Sequence, residues 1–376
     1  MTTTKNNEHK ELNVPNLRFP EFSGEWHSFL INEICSEFKS GKNIKADSIS
    51  ENGEYPVFGG NGLRGYTASY NHEGLYVLIG RQGALCGNVR SVNGKTYITE
   101  HAIAAAGNEK SNTSFLHYLF LKMNLGQYSD QSAQPGLAVN KLLKLEVSLP
   151  PISEQKKIAK LLSLLDERIA TQNKIIEDLK KLKSAIIEKL YKGIQGTWYS
   201  YRQLFSIINE RNKQLEYSNV LSASQERGMV SREDLNLDIH FERSNISTYK
   251  IVKNGDYVIH LRSFQGGFAF SEKTGICSPA YTVLRPNNLL VYGYLSNYFT
   301  SRDFVKSLII VTYGIRDGRS INVDEWLDMK VVIPSKEQQT HIINVIESIE
   351  NKIKNEETYS NYLLNQKQYL LRQMFI

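Results

Sequence analysis

The sequence predicts an α+β protein in which two mixed α/β domains alternate with two long helices, the whole built as an internal repeat of pseudo-two-fold character. Three observations predict it. The stretch PPISEQKKIAKLLSLLDERI, beginning at Pro150, returns 184 residues later as IPSKEQQTHIINVIESIENKI. Each copy carries apolar residues at alternating steps of four and three, the spacing of a heptad seam. The segments between the copies are rich in Gly, Tyr and short β-like runs punctuated by turns.

The elements follow in chain order. Residues 1–14 open with MTTTKNNEHKEL, which has no apolar run and so is no signal peptide; it reads as a disordered lead-in. Residues 15–150 form a first domain, in which GEYPVFGGNGLRGY and GLYVLIGRQGALCGNVRSVNGKTYIT alternate strand composition with Gly turns. Val147, Leu149 and Pro150 end it as a short buried strand stopped by proline. A helix over 151–195 follows, with its seam at Ile158, Leu162, Leu165, Ile169, Ile176, Leu179, Ile186 and Leu190 and polar interruptions at Gln172 and Lys183; Gly193 and Gly196 end it. A second domain, 196–335, has the same strand-and-turn composition and ends on Val331, Ile333 and Pro334. The last helix, 336–376, has its seam at Ile342, Ile346, Ile349, Ile353, Leu363, Leu370 and Met374, interrupted by Glu356 and Lys367 at the positions matching Gln172 and Lys183. Helices of roughly 35–40 residues, about 50–60 Å long, exceed what one compact domain covers. Two matched seams therefore most simply bury each other as an antiparallel coiled coil, with Ile158, Leu162, Leu165 and Ile169 on one helix and Ile342, Ile346, Ile349 and Ile353 on the other. Glu154-Gln155 aligns with Gln338-Gln339, while the Glu-Gln pair of the second helix start is Glu337-Gln338, so Glu-Gln fits the repeat only with a slip of one residue.

Composition bounds the function. Among 376 residues, 41% apolar and 22% charged, the formal charge is +6, a mild basic excess compatible with nucleic acid. Cys35, Cys86 and Cys277 lie far apart with no ligand spacing, as expected for reduced thiols in a cytosolic protein. No stretch approaches the roughly 18 apolar residues of a membrane span, so a soluble, cytoplasmic chain is expected.

Four loops combine Gly with Arg, Asn or Gln: Gly59 to Arg64, Arg81-Gln82-Gly83, Arg262 to Gly266, and TYGIRDGRSIN around Arg316 and Arg319. Arg, Asn and Gln match base edges bidentately, and Gly admits close backbone approach to phosphate. Taken singly, each loop also fits a solvated β-turn. Catalytic motifs fail where they can be checked. Gly94-Lys95-Thr96 ends like a phosphate-binding loop, but Val89 stands where the first Gly belongs. The SPAY stretch at Ser278 has Ser and Ala where an amino-methyltransferase loop needs Asn or Asp and Pro. Glu154-Gln155-Lys156 supplies half of a nuclease metal site, without any Pro-Asp dipeptide in the chain. His101 and His117 have no partner at defined spacing and read as structural; no metal-ligand set emerges.

These residues carry a resemblance. PNLRFPEFSGEW, LPPISEQKKIAKLLSLLDERI and its echo after Pro334, YPVFGGNGLRGY, and RSFQGG with CSPAYTVLRP make the chain similar, over essentially its whole length, to the specificity subunit of Type I restriction–modification enzymes. The resemblance implies two target-recognition domains on an antiparallel pair of conserved helices, reading a split double-stranded DNA site without catalysis of their own. It further implies docking of two modification (methyltransferase) subunits and of restriction/translocase subunits, which would hold the S-adenosylmethionine, Mg²⁺ and ATP. The residues expected to contact DNA are Asn61, Arg64, Arg81, Gln82, Arg262, Gln265, Arg316 and Arg319. A stand-alone DNA-binding regulator, a fused restriction–methylation enzyme and a non-DNA coiled-coil scaffold are the rival readings.

Overall fold

The repeat begins earlier than the helices. In the computed structural model, which describes residues 13–130, 136–224, 227–235, 243–260, 267–313 and 320–376, the chain divides into two units, Met1–Asn173 with Thr358–Ile376 and Lys174–Glu357.

Unit 1 runs through β1 (His27–Leu30), α1 (Ile31–Ile34), β2 (Cys35–Ser40), β3 (Tyr55–Gly59), β4 (Gly62–Thr67), β5 (His72–Glu73) and β6 (Tyr76–Gly80). It continues with β7 (Val89–Val92), β8 (Lys95–Ile98), β9 (Ala102–Gly107), α2 (Thr113–Met123), α3 (Val139–Leu142), β10 (Glu146–Leu149) and the first part of α4 (Ile152–Tyr191). One four-stranded sheet has the order β2-β9-β6-β7, a second β4-β3-β8-β5, and β1 pairs antiparallel with β10. The strand runs are apolar on the faces that meet, so Leu78, Val92, Ile98, Ala102 and Ala104 fill one small core. The main core gathers α1, α2 and the helix pair: Ile31, Ile34, Phe115, Phe120, Ile158, Leu162, Met374 and Phe375 are all buried with Trp26. Phe375 stacks on Phe115 with centroids 5.0 Å apart, and Trp26 meets both rings edge-on.

Unit 2 holds the rest of α4, then β11 (Thr197–Ser200), α5 (Tyr201–Leu204), β12 (Phe205–Ile208), β13 (Leu221–Ser224), β14 (Gly228–Ser231), β15 (Lys250–Val252) and β16 (Tyr257–Ile259). There follow β17 (Phe268–Phe270), β18 (Gly275–Cys277), β19 (Thr282–Pro286), α6 (Arg302–Ser307), β20 (Thr312–Tyr313), β21 (Ser320–Ile321), α7 (Val323–Asp328), β22 (Lys330–Ile333) and the first part of α8 (Lys336–Gln373). Its four-stranded sheet, β12-β19-β16-β17, repeats the order β2-β9-β6-β7, and β11 pairs with β22 as β1 pairs with β10. An aromatic core surrounds Trp326, whose ring stacks on Tyr201 at 4.3 Å and 12°; Ile187, Ile342 and Ile346 close it.

Three small hydrogen-bonded devices recur in both units. The N–H of Leu30 donates to Glu33 one turn on, and that of Ser200 to Gln203, starting α1 and α5 alike. Asn108, after β9, donates its backbone N–H to Ile34 O and its side-chain amide to Glu33 O. Asn287, after β19, does the same to Leu204 O and Gln203 O. Finally Gln155, fully buried near the start of α4, accepts from Asn112 N (2.8 Å) and donates to Lys110 O and Pro150 O (2.9 Å each). Gln339 accepts from Val291 N (2.8 Å) and donates to Leu289 O and Pro334 O (3.0 Å each). Gln155 and Gln339 thus correspond in register, and the one-residue slip expected at the second helix start is not needed. What differs is the residue before: Glu154 is buried against Arg18 (2.7 Å), whereas Gln338 is exposed.

Both long helices contribute to both units, and within each unit they run antiparallel. In unit 1, Asp166 pairs with Lys367 (2.5 Å) and Asn173 with Ser360 (3.0 Å); in unit 2, Lys183 pairs with Glu350 (2.6 Å) and Lys180 with Glu357 (2.7 Å). Asp166 and Glu350 occupy matching repeat positions, as do Lys183 and Lys367, so one ion pair occurs twice with the helices exchanged. The two lysine interruptions of the seam, Lys183 and Lys367, are therefore interhelical contacts, while Glu356 pairs with Lys352 on its own helix. Leu165 and Ile169 pack on Leu363, Ile158 and Leu162 enter the unit 1 core, Ile342 and Ile346 that of unit 2, Ile353 is buried and Ile349 half-buried.

The chain passes from one unit to the other inside the long helices, at Asn173 and Glu357, because each half-helix packs into a different core. Two expectations need amending. Ile187, not Ile186, faces the unit 2 core: an α-helix advances faster than a strict 3.5-residue seam, and a second step of four brings Ile187 round. Asn13, placed in the disordered lead-in, is folded: its N–H-bearing side chain donates to Trp26 O (2.8 Å) and Ser148 Oγ (3.0 Å).

Candidate nucleic-acid interface

Two hairpins of unit 1 bring the expected residues together. β3 and β4 close through Gly60 and Asn61, Gly59 facing Gly62, which holds φ +109°, a conformation that favours glycine. At this tip Asn61, Leu63 and Arg64 are exposed. The Arg64 stem lies along Gly59, where an added Cβ would stand 2.9 Å from Arg64 Cδ. Gly60 is seated on the second loop, since a Cβ there would stand 2.7 Å from His101 O and 3.5 Å from Arg81 N. Arg81 and Gln82 begin the β6–β7 connection. Arg81 N donates to His101 O (2.9 Å), and Arg81 O receives Leu137 N (2.9 Å) and the Cys86 thiol (3.3 Å). The His101 ring bridges Gln82 Oε1 (3.2 Å) and Glu100 Oε1 (3.2 Å). Asn61, Arg64, Arg81 and Gln82, separate in sequence, therefore share one end of the unit.

Arginines gather at this end, beside the Glu100 carboxylate that pairs with His101. Among the described residues no ion pair engages Arg64 or Arg81, and a third guanidinium, Arg90 on β7, lies against Gly62. Arg90, Glu100 and the bridging role of His101 were not legible in sequence, because strand pairing and not a Gly-Arg dipeptide brings them here. His101 belongs to this cluster rather than to a core.

In unit 2, Arg262, Gln265, Arg316 and Arg319 lie outside the described residues. Their flanks are described. The β16–β17 hairpin closes with His260 N donating to Gly267 O, and residues 261–266 connect the two strands. By sheet order this connection corresponds to the β6–β7 connection that carries Arg81 and Gln82. Residues 314–319 connect β20 and β21.

Elsewhere the chemistry is structural. Burial pushes the Cys35 and Cys277 thiols up to about 12 and raises Cys86 as well, so none is poised as a thiolate. Gly94 lies in the β7–β8 turn with its N bonded to Gly74 O, and Lys95 opens a strand rather than a phosphate-binding helix. The Glu154 carboxylate is occupied by Arg18, Nε donating to Oε1 and Nη2 to Oε2. Among the described residues no group of three His, Cys, Asp or Glu could hold a metal ion, and no helix is long and apolar enough to cross a membrane.

Known proteins resemble this chain in sequence and in fold. Residues 23–181 match the model of the Type I restriction modification DNA specificity domain. Over 173 residues the chain is 40% identical to the Escherichia coli Type I restriction enzyme EcoprrI specificity subunit, a match spanning 45% of this chain and 42% of that protein's length. The fold is similar to the crystal structure of a Type I restriction-modification system S subunit from M. genitalium (TM-score 0.61, 15% identity, 96% of this chain and 99% of that one). It is similar also to a chain from a structural study of complex assembly and conformational transition of the type I R-M system (TM-score 0.60, 15% identity, 93% and 97% covered).

Proposed function

We propose that this chain, which carries a Type I restriction modification DNA specificity domain and is a relative of Type I specificity subunits, supplies the DNA sequence specificity of a Type I restriction–modification complex. It binds a bipartite double-stranded site and has no catalytic activity. One observation carries the reading: hydrogen-bonded devices and sheet order repeat in the two units, while the sequences of the connections on that common frame differ, Arg81-Gln82-Gly83 in one and Arg262 to Gly266 in the other. A constant frame with unlike connections suits two readers of two half-sites.

In this proposal residues 15–150 and 196–335 are the two target-recognition domains, and 151–195 and 336–376 the conserved helices that hold them. Asn61, Arg64, Arg81, Gln82, Arg262, Gln265, Arg316 and Arg319 contact DNA, the amides and bidentate arginines at base edges and the remainder at phosphates. The helix pair, through Ile158, Leu162, Leu165, Ile169, Ile342, Ile346, Ile349 and Ile353, fixes the spacer between half-sites. Two modification subunits dock on the chain and hold S-adenosylmethionine; restriction/translocase subunits hold ATP and Mg²⁺. The complex acts in the cytoplasm.

The test is to map methylated adenines in cells carrying the chain with its modification subunit, then to exchange residues 15–150 for those of a relative. The expected result is a split motif in which the exchange alters one half only. An unsplit motif, or alteration of both halves, overturns the proposal. Methyl transfer by the purified chain without partner subunits overturns the non-catalytic role, and tight sequence-specific binding without them favours a stand-alone regulator.

A further inference from the structure

Arg90 is held under the β3–β4 tip of unit 1. It lies on β7 opposite Leu78 of β6, between the buried Val89 and the exposed Ser91, and its side chain runs under the β3–β4 tip. A Cβ added at Gly62 would stand 2.4 Å from its Nη1, 3.0 Å from Cζ and 3.5 Å from Nη2, so the Nη1 edge of the guanidinium lies against the glycine. Its Nε is buried and has no hydrogen-bond partner, and among the described residues no carboxylate pairs with the group. Arg64 and Arg81 flank the same tip.

A guanidinium with one nitrogen sealed off and no counter-charge keeps its remaining N–H groups for an acceptor outside the chain. A flexible surface arginine would be solvated on all sides; this one is held in one place before any ligand arrives. Gly62, without a side chain, leaves room for the guanidinium to lie directly under the exposed Asn61, Leu63 and Arg64 of the tip. We propose that Arg90 contacts a DNA phosphodiester at the β3–β4 tip, setting the position of Asn61 and Arg64 against the bases without itself reading sequence. The inference rests on the DNA-binding function proposed above and adds a contact that anchors rather than selects.

The distinction can be measured. The full chain, co-purified with its modification subunit, is titrated with a random-sequence duplex at several salt concentrations, as wild type, Arg90→Met and Arg90→Lys. Each phosphate contact adds about 0.9 to the slope of log K against log salt. Arg90→Met keeps the packing under Gly62 and removes the charge, so the slope should fall by about 1 and affinity by about 10-fold. Arg90→Lys should retain the slope. The loss should be alike on duplexes with and without the methylated motif. An unchanged slope in a folded Arg90→Met variant, or a loss confined to the motif, overturns the assignment. If Arg90→Met fails to fold, methylglyoxal labelling of wild-type chain decides: protection of Arg90 by the duplex is expected, and equal labelling with and without duplex overturns it. A wild-type complex that binds no duplex refutes the proposed function itself, whereas steep wild-type salt dependence with an indifferent Arg90 refutes only this contact.

Discussion

Replacing Gln155 with Leu should unfasten unit 1 while leaving unit 2 intact. The side-chain amide of Gln155 satisfies three backbone groups, Asn112 N, Lys110 O and Pro150 O, at 2.8–2.9 Å, with no part of the residue exposed. Leucine fills a similar volume and satisfies none of them. A typical buried hydrogen bond nets about 1 kcal/mol, and a backbone group left unpaired costs about 1–3 kcal/mol. Allowing for partial rescue by water or small shifts, the loss is about 3–5 kcal/mol. Gln155→Glu should be no milder, because it turns a donor aimed at two carbonyl oxygens into a third acceptor. The equivalent Gln339→Leu should cost about as much in unit 2, where the distances are 2.8–3.0 Å. A global melt would mix the two units, so the assay is native-state hydrogen exchange under increasing urea, following β2, β9 and β6 for unit 1 and β12, β19 and β16 for unit 2. Each substitution should lower protection in its own unit. A loss below about 1 kcal/mol, or equal losses in both units after Gln155→Leu, would show that the amide does not fasten helix start to sheet.

Two further expectations concern ionisable groups. Burial, seconded by Lys367, lowers the His117 pKa to about 4, against 6.5 ordinarily, with Asp166 opposing. The folded state thus binds the proton more weakly than the unfolded state. The contribution is present above pH 6.5 and is lost as pH falls toward 4, by about 3 kcal/mol at about 1.36 kcal/mol per pKa unit. Urea unfolding of wild type and His117→Gln should show their stability difference shifting by that amount across this window, and a difference flat with pH would refute it. In unit 2, the Asp256 carboxylate is 2% exposed and accepts both Arg285 Nε and Nη2 at 2.9 Å. Arg285→Met should cost about 3 kcal/mol by stranding a buried charge. Adding Asp256→Asn should restore part of it in the exchange of β12 and β19; no recovery would mean that the pair is not the cause.

What was legible in sequence was what repeats in letters at one offset. Val147, Leu149, Pro150 and the seam recur 184 residues on, so the second half of the frame could be found by alignment. The first half recurs through Ile31 and Tyr201, Ile34 and Leu204, and the middle through Asn108 and Asn287. Loops of unequal length shift these offsets, and the side chains conserve only a role. A spacing-of-three apolar pair before a strand, and an Asn just after one, were the available signals, both weak alone. Loop tips were legible where Gly and Arg adjoin, as in Gly62-Leu63-Arg64. Arg90 was not, since its neighbour Gly62 is supplied by another hairpin.

The division of unit 1 bears on the order in which the protein can be completed. Unit 2 is one continuous stretch, Lys174–Glu357, whereas the core of unit 1 is closed by Met374 and Phe375 against Trp26 and Phe115. On the ribosome residues 1–173 must therefore wait with an open apolar face until Thr358–Ile376 emerges, while unit 2 can already finish. Although domains generally fold from the N-terminus onward, here the first unit to start is the last to close. A nascent chain arrested before Thr358 should hold a protected unit 2 beside an unfinished unit 1.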